Sequence, residues 1–163
     1  MNERSKIMRR LSNRISAIVD QIGHVQNKSH LRLMKEVLTN IIGTEKEIER
    51  IISGKYSAID HSVILSHLYN TSAEVLSSGQ NAILFLQDAI QNKDNELFEI
   101  RKEFLNIKNK VFKLIVRLDT YYKLHLNSKF HSHGLTAEIV KKRANELRKL
   151  KLQMEKVYDA KLF

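Results

Sequence analysis

Residues 58–92 read AIDHSVILSHLYNTSAEVLSSGQNAILFLQDAIQN, and this stretch decides the fold class. It contains neither lysine nor arginine, although the whole chain has 28 of these residues and a formal net charge of +10. Its only formal charges are Asp60, Glu74 and Asp88. Because so few charges are available to solvate an outer face, the composition predicts a helix that is closed off from water and surrounded by the other segments.

The rest of the chain follows the same helical period. Apolar residues recur in alternating steps of three and four, which is the seven-residue repeat of helices packed side by side. Proline is absent and there are only five glycines, so the residues that interrupt helices and form tight turns are scarce. The repeats cover residues 8–25, 31–52, 65–90 and 97–121, and a last helix is expected after Thr136, which is predicted as its N-cap.

Two glycines bear on helix continuity. Gly43, followed by Thr44 and Glu47, resembles a capping box, which predicts a break or bend in the second helix. The repeat of the lysine-free stretch, by contrast, passes through Gly79 without a change of phase. One helix of about 34 residues is therefore expected there.

The helix that Asp94 is predicted to cap has the most regular repeat in the chain, at 97–121, and a second apolar stripe runs beside that repeat. The second stripe consists of Phe98, Leu105, Phe112 and Ile115. A doubled apolar face predicts a helix that contacts two neighbours, as inside a bundle.

These observations predict an all-α protein, a single domain over residues 1–163 built as an up-and-down antiparallel bundle of four to five long helices. Helices with sustained heptads can also exchange between chains, so a dimer is an alternative to a self-contained monomer.

The compartment is predicted from what the chain lacks. With no cysteine there can be no disulfide and no thiolate metal site, which suits a reducing compartment, and the cytoplasm is expected. The charged N-terminus lacks the apolar block of a secretory signal, and no apolar run approaches the ~20 residues needed to cross a bilayer. Peripheral attachment through the first helix is a weaker alternative, because its apolar face has no Trp or Phe.

The positive charge is concentrated in three parts of the chain. Residues 1–28, 93–129 and 130–163 each have a net charge of +4, whereas residues 58–92 have −3. If the two terminal helices are neighbours, their basic faces could form one patch that neutralises phosphates. The residues predicted to make these phosphate contacts are Arg9, Arg10, Arg14, Lys141, Lys142, Arg148 and Lys149. The simpler interpretation is that these residues solvate exposed faces, since Glu138 and Glu155 interrupt the patch.

No pattern of residues indicates catalysis. His131 and His133, with His125 nearby, form the one metal-like spacing, but no carboxylate or thiolate lies close enough in sequence to complete a site. The chain has no Glu-x-x-His of di-iron bundles, no glycine-rich phosphate loop and no nucleophile elbow. His30 is not followed by the lysine–glycine pair expected after a phosphotransfer histidine, which argues against a histidine phosphotransfer domain. A helix-turn-helix at 44–68 would have a recognition helix without cations, which argues against DNA readout by that motif. We therefore expect a protein that is not an enzyme, with no cofactor and no metal.

The function predicted from sequence is binding of an acidic partner, with nucleic acid backbone, bound without strong sequence preference, as the first candidate. The alternative is a structural or adaptor protein that acts through helix-to-helix contacts with a partner protein or with itself.

Overall fold

The computed structural model describes residues 3–10, 28–53, 61–126 and 134–160. For residues 61, 62, 125, 126 and 134–136 it describes the backbone alone. Five helical segments occur in these ranges and no strand does, which confirms the predicted all-α class. They are α1 (3–10), α2 (His30–Ser53), α3 (His61–Gln91), α4 (Leu97–Leu126) and α5 (Gly134–Asp159).

Helices α2 to α5 form a four-helix bundle. α3 and α4 each pack against the other three helices, whereas α2 and α5 contact these two and lie diagonally opposite each other. Ion pairs between helices show the relative directions of α2 and α4. Lys110 and Arg117 of α4 pair with Glu45 and Glu49 of α2, respectively, so residue numbers rise in the same direction along both helices. The helices therefore alternate up and down along the sequence, but the neighbouring pairs α2–α4 and α3–α5 are parallel.

The structure fully buries only every second member of the series that the sequence repeat of α3 predicts, which is Leu65, Tyr69, Ser72, Leu76, Gly79, Ile83, Leu86 and Ile90. Positions along the buried face of α3 that are almost fully buried follow a strict three-four spacing and are mostly small or medium-sized. They are Leu65, Leu68, Ser72, Val75, Gly79, Ala82, Leu86 and Ala89. The larger residues of the predicted series, such as Tyr69 and Ile83, lie at the edges of this face and are only partly buried. Small side chains in the centre let three neighbouring helices approach at once.

The expectation that α3 is closed off from water is wrong for its outer face. Val63 is 58% exposed and Leu84 is 60% exposed, and Ser66, Asn70 and Ser77 lie between them on the same side. A helix at the corner of a four-helix bundle always keeps one side in solvent. In α3 that side is hydrated by serine and asparagine instead of by lysine.

Helix α2 runs without a break through Gly43, so the predicted division of this helix is wrong. Thr44 does not cap a new helix, because its hydroxyl donates to the Asn40 carbonyl one turn back, at 2.9 Å. The N-cap of α2 is Ser29, whose hydroxyl accepts the Arg32 N–H at 3.1 Å.

At the other end of the bundle core, α5 begins at Gly134, two residues before the predicted cap Thr136.

The regular stripe of α4 is confirmed as core. Ile100, Phe104, Ile107 and Val111 are fully buried, and the stripe continues through Leu118 to Tyr121. The predicted second stripe is not buried in the bundle: only its last member, Ile115, is, while Phe98 is 78% exposed and Phe112 is 50% exposed. The reason is that α4 meets its neighbours on one broad face, and the second stripe lies beyond the edge of that face.

The turn between α3 and α4 closes one end of the bundle. Asp94 N–H donates to Ala89 O at 3.0 Å and Lys93 N–H donates to Ile90 O at 3.2 Å, the two hydrogen bonds of a Schellman motif. Lys93 accordingly has a positive φ of 51°. Asp94 then caps α4, as predicted, since its carboxylate accepts the Glu96 N–H at 2.8 Å.

His30 ties the start of α2 to this turn. Its Nδ1 lies 2.7 Å from Asp94 Oδ2 and its Nε2 lies 2.9 Å from Asp88 Oδ2. Neutral imidazole donates only one hydrogen bond, so the protonated ring is the form that satisfies both carboxylates. Partial burial lowers the pKa of His30, but Asp88 and Asp94 outweigh it and hold the pKa above 6.5. The Glu96 N–H and then His30 hold the pKa of Asp94 below its usual value of 3.8.

Gly79 and Gly43 provide a matched test of how closely α3 and α5 approach. A Cβ at Gly79 would lie 2.5 Å from Cδ2 of Leu150, a side chain only 3% exposed, whereas a Cβ at Gly43 would meet nothing within 4 Å. We expect Gly43→Ala to raise the free energy of unfolding by about 0.5–1 kcal/mol through helix propensity alone. We expect Gly79→Ala to lower it by about 1 kcal/mol, because overpacking exceeds that gain. Urea denaturation measures both, and equal stabilisation by the two substitutions would contradict the close approach.

The His30 contacts predict a particular dependence of stability on pH. Because the pKa of His30 is raised on folding, its contribution is complete below pH 6.5 and is lost as the pH rises through the folded-state value. Because the pKa of Asp94 is lowered, its contribution is complete above pH 3.8 and is lost as the pH falls. The difference in unfolding free energy between the native chain and His30→Gln should therefore be largest between these limits. A difference that stays constant between about pH 5 and 9 would contradict a protonated His30 that donates to both Asp88 and Asp94.

Candidate binding surface on helices α4 and α5

Charge is distributed unevenly between the two halves of the bundle. α4 carries seven basic and three acidic residues, and α5 carries seven and four. α2 carries four of each, and α3 has only Glu74 and Asp88. Because α4 and α5 are direct neighbours, one side of the bundle holds nearly all of the positive field in the four core helices.

Part of this basic charge is already used inside the bundle. Arg148 forms an ion pair with Asp119 across the α4–α5 contact. Lys151 Nζ lies 2.8 Å from Glu155, to which Lys108 is also close, at 3.9 Å. The hydrogen bond from Lys151, followed by the charges of Lys151 and Lys108, lowers the pKa of Glu155 despite some desolvation. The pairs of Arg148 and Lys108 link α4 to α5, whereas the Lys151–Glu155 pair lies within α5, and all three cations are only partly available to a partner.

Two arginines at the helix contacts are likewise structural. Arg143 is 6% exposed, with its guanidinium 4.1 Å from the ring centre of Tyr69 and its Nη2 donating to the Tyr69 carbonyl at 3.1 Å. Arg101 stacks at 4.4 Å on Tyr158 and donates to its carbonyl. Neither guanidinium faces solvent as a free cation, because planar stacking on tyrosine directs both into the helix contacts.

Six lysines on α4 and α5 are exposed and form neither an ion pair nor a cation–π contact among the described residues. They are Lys102, Lys113, Lys123, Lys142, Lys149 and Lys156. The last three follow one another at seven-residue intervals on the outermost line of α5, so they form a row roughly 20 Å long.

The structure divides the residues predicted to contact phosphate. Lys142 and Lys149 lie in the exposed row of α5, and Lys141 is also exposed, with its ammonium 5.4 Å above the Tyr122 ring. Arg148 is exposed but paired with Asp119. Arg9 and Arg10 are exposed on α1, and Arg14 lies outside the described residues.

The predicted merger of the two terminal helices stays a prediction, because residues 11–27 of the first helix lie outside the described residues. The helix that lies beside α5 on its basic side is α4, and it contributes Lys102, Lys113 and Lys123, which sequence reasoning missed. The charge count of residues 93–129 indicated a basic fourth helix, but the order of helices around the bundle was needed to place these lysines next to α5.

Apolar side chains interrupt this basic surface. Of the nine large apolar side chains exposed in the described residues, five lie on α4 and α5. They are Phe98, Phe112, Val116, Leu124 and Leu152. Phe112 and Leu152 line a shallow depression between the two helices, with Ile115 as its floor and Arg148 and Lys151 at its sides. Lys151 Nζ lies 5.1 Å from the centre of the Phe112 ring.

The tyrosine pair at the end of α4 belongs to the core. Tyr121 is 7% exposed, as predicted for a residue that continues the apolar stripe, and burial raises its pKa. Tyr122 is 9% exposed and donates to Glu138 at 3.0 Å. Burial, reinforced by Glu138, raises the pKa of Tyr122 as well.

The described residues contain no group of three His, Asp or Glu side chains placed to hold a metal ion. His131 and His133 lie outside the described ranges, and so does the side chain of His125. In the described part of the chain, no helix is long and apolar enough to cross a membrane. No protein-family model, no curated protein and no solved structure matches this chain.

Proposed function

We propose that this chain is a non-enzymatic binding protein whose α4–α5 surface engages an acidic macromolecule. The observation that carries the proposal is a set of six exposed lysines on two neighbouring helices, which form neither an ion pair nor a cation–π contact among the described residues. Ammonium groups that no nearby carboxylate neutralises attract phosphates or carboxylates of another molecule.

The row of Lys142, Lys149 and Lys156 on α5 is the part of this surface that suits an extended polyanion best. Its lysines are about 10 Å apart along the helix axis. Such a row neutralises several phosphates of nucleic acid backbone without reading bases, so binding would show little sequence preference.

Adaptor function through helix-to-helix contacts is the second candidate, and the exposed apolar side chains favour it. Phosphate backbone gains nothing from Phe98 or Leu152, which are 78% and 57% exposed. An acidic protein helix would bury them and would pair with the same lysines. Both candidates require the lysines, so the first test addresses the charge alone.

Charge reversal on α5 tests the proposal. We expect Lys142→Glu with Lys149→Glu to weaken binding of duplex DNA, structured RNA and an acidic model polypeptide such as polyglutamate, because it replaces two attractive charges with two repulsive ones. Binding by the native chain should itself fall steeply as salt rises from about 50 to 200 mM. Filter binding serves for the nucleic acids and fluorescence anisotropy for polyglutamate.

The matched control is Lys35→Glu with Lys46→Glu, which changes the net charge equally at two exposed lysines of α2. It should weaken binding far less, since these lysines lie on a helix with as many acids as bases. Equal loss in both double variants would mean that only net charge matters. No binding of any polyanion at low salt would exclude the proposal.

A further inference from the structure

The exposed apolar residues of α4 form a continuous ridge. Phe98, Leu105 and Phe112 are spaced by seven residues, and Val116 follows one turn after Phe112. Seven residues are almost two full turns, so these side chains point in nearly the same direction over about 27 Å. Exposure is 78% at Phe98, 50% at Phe112 and 48% at Val116, while Leu105 is partly buried.

Leu152 of α5 widens this ridge into a surface that two helices share. It is 57% exposed and lines the same depression as Phe112 and Ile115. Three helices pack on α4, yet Phe98, Phe112 and Val116 stay exposed, so none of the three covers the ridge. Contiguous apolar side chains on a helix face are typical of an interaction site, in contrast to single scattered ones such as Leu84 on α3.

The charges around the ridge select the partner. Lys102, Lys113 and Lys123 on α4 are exposed and lack ion pairs among the described residues. At the α4–α5 contact, Asp119 of α4 is engaged by Arg148 and Glu155 of α5 is engaged by Lys151. A second copy of this chain docked ridge to ridge would bring its own lysines against these, and this repulsion disfavours self-association through α4.

We propose that the ridge of Phe98, Leu105, Phe112 and Val116, together with Leu152, docks an amphipathic helix of a partner protein whose apolar stripe is flanked by Asp and Glu. This inference rests on the proposed function, because it names the acidic partner of the same surface. The apolar stripe of the partner would lie in the valley between α4 and α5. Its carboxylates would meet the lysines on both sides.

A synthetic peptide pair tests the inference on the full chain. One peptide is an amphipathic helix of three heptads with leucine on one stripe and glutamate beside it, and the other has lysine in place of each glutamate. We expect the glutamate peptide to bind in fluorescence anisotropy and the lysine peptide not to bind. Phe98→Ser with Leu152→Ser should weaken binding about tenfold, since two exposed apolar contacts are lost.

The control variant is Val63→Ser with Leu84→Ser, which removes two apolar side chains of similar exposure, 58% and 60%, from the outer face of α3. It should leave binding of the glutamate peptide unchanged. The single substitution Phe98→Glu provides a second variant at a side chain that contributes little to folding, and it should weaken binding at least as much through repulsion. Circular dichroism of each variant verifies that the bundle is retained.

The outcomes separate this inference from the proposed function. If the glutamate peptide loses affinity in the Lys142→Glu, Lys149→Glu variant but not in the ridge variants, the acidic-partner function stands and the ridge inference is wrong. If neither set of variants weakens binding of the glutamate peptide, the ridge inference is wrong, and if the Lys142→Glu, Lys149→Glu variant also binds DNA, RNA and polyglutamate like the native chain, the proposed function is wrong too. Equal weakening of nucleic acid binding by the ridge variants would overturn the inference in favour of base stacking on phenylalanine.

A photo-crosslinking amino acid at position 98 identifies other occupants. Cross-links to the glutamate peptide are expected. Cross-links that form instead only within one chain, or only between two copies of it, would show that the ridge is an internal or self-association contact and would overturn the inference.

Discussion

The close approach of helices to α3 is the constraint on which the rest of the bundle depends. Its buried face has Ser72, Gly79, Ala82 and Ala89 at its centre, so α2, α4 and α5 can all contact one helix. At Gly79 the Leu150 side chain of α5 occupies the space that a Cβ would need. α2 and α5 pack on the two sides of α3, and α4 lies across the bundle from it. This arrangement makes α4 and α5 neighbours, so their lysines lie on one surface.

The cations of the α4–α5 surface have two roles: some form contacts within the bundle, and the others are available to a partner. Arg148, Lys108 and Arg101 bind an acid or a carbonyl across the α4–α5 contact and stabilise it, while Lys151 binds Glu155 within α5. Such partly exposed pairs contribute about 1 kcal/mol or less each, so their main effect is to fix geometry and to neutralise acids that would otherwise repel an anionic partner. The outer lysines are then left as the cations that a partner meets first.

Much of the fold follows from the sequence by elementary rules. The absence of proline, the heptad spacing and the lysine-free stretch predicted an all-helical bundle, and Asp94 was predicted as the cap of α4. Errors arose where local pattern and tertiary context differ. Gly43 and Thr44 resemble a helix start, but the α2 backbone continues because an isolated exposed glycine costs only about 1 kcal/mol in a helix. The second stripe of α4 resembles core, yet Phe98 and Phe112 lie outside the bundle.

For the candidate surface, the residues that are available can be read from the sequence: lysines at seven-residue intervals on α5, a basic α4, and an apolar stripe beside the core stripe of α4. Helical periodicity fixes these placements because each depends only on positions along one helix. The packing of the helices was needed to establish that α5 lies beside α4, that Arg143 is buried against Tyr69, and that no described helix covers Phe98. These depend on the order of helices around the bundle, which is set by contacts between residues far apart in the chain.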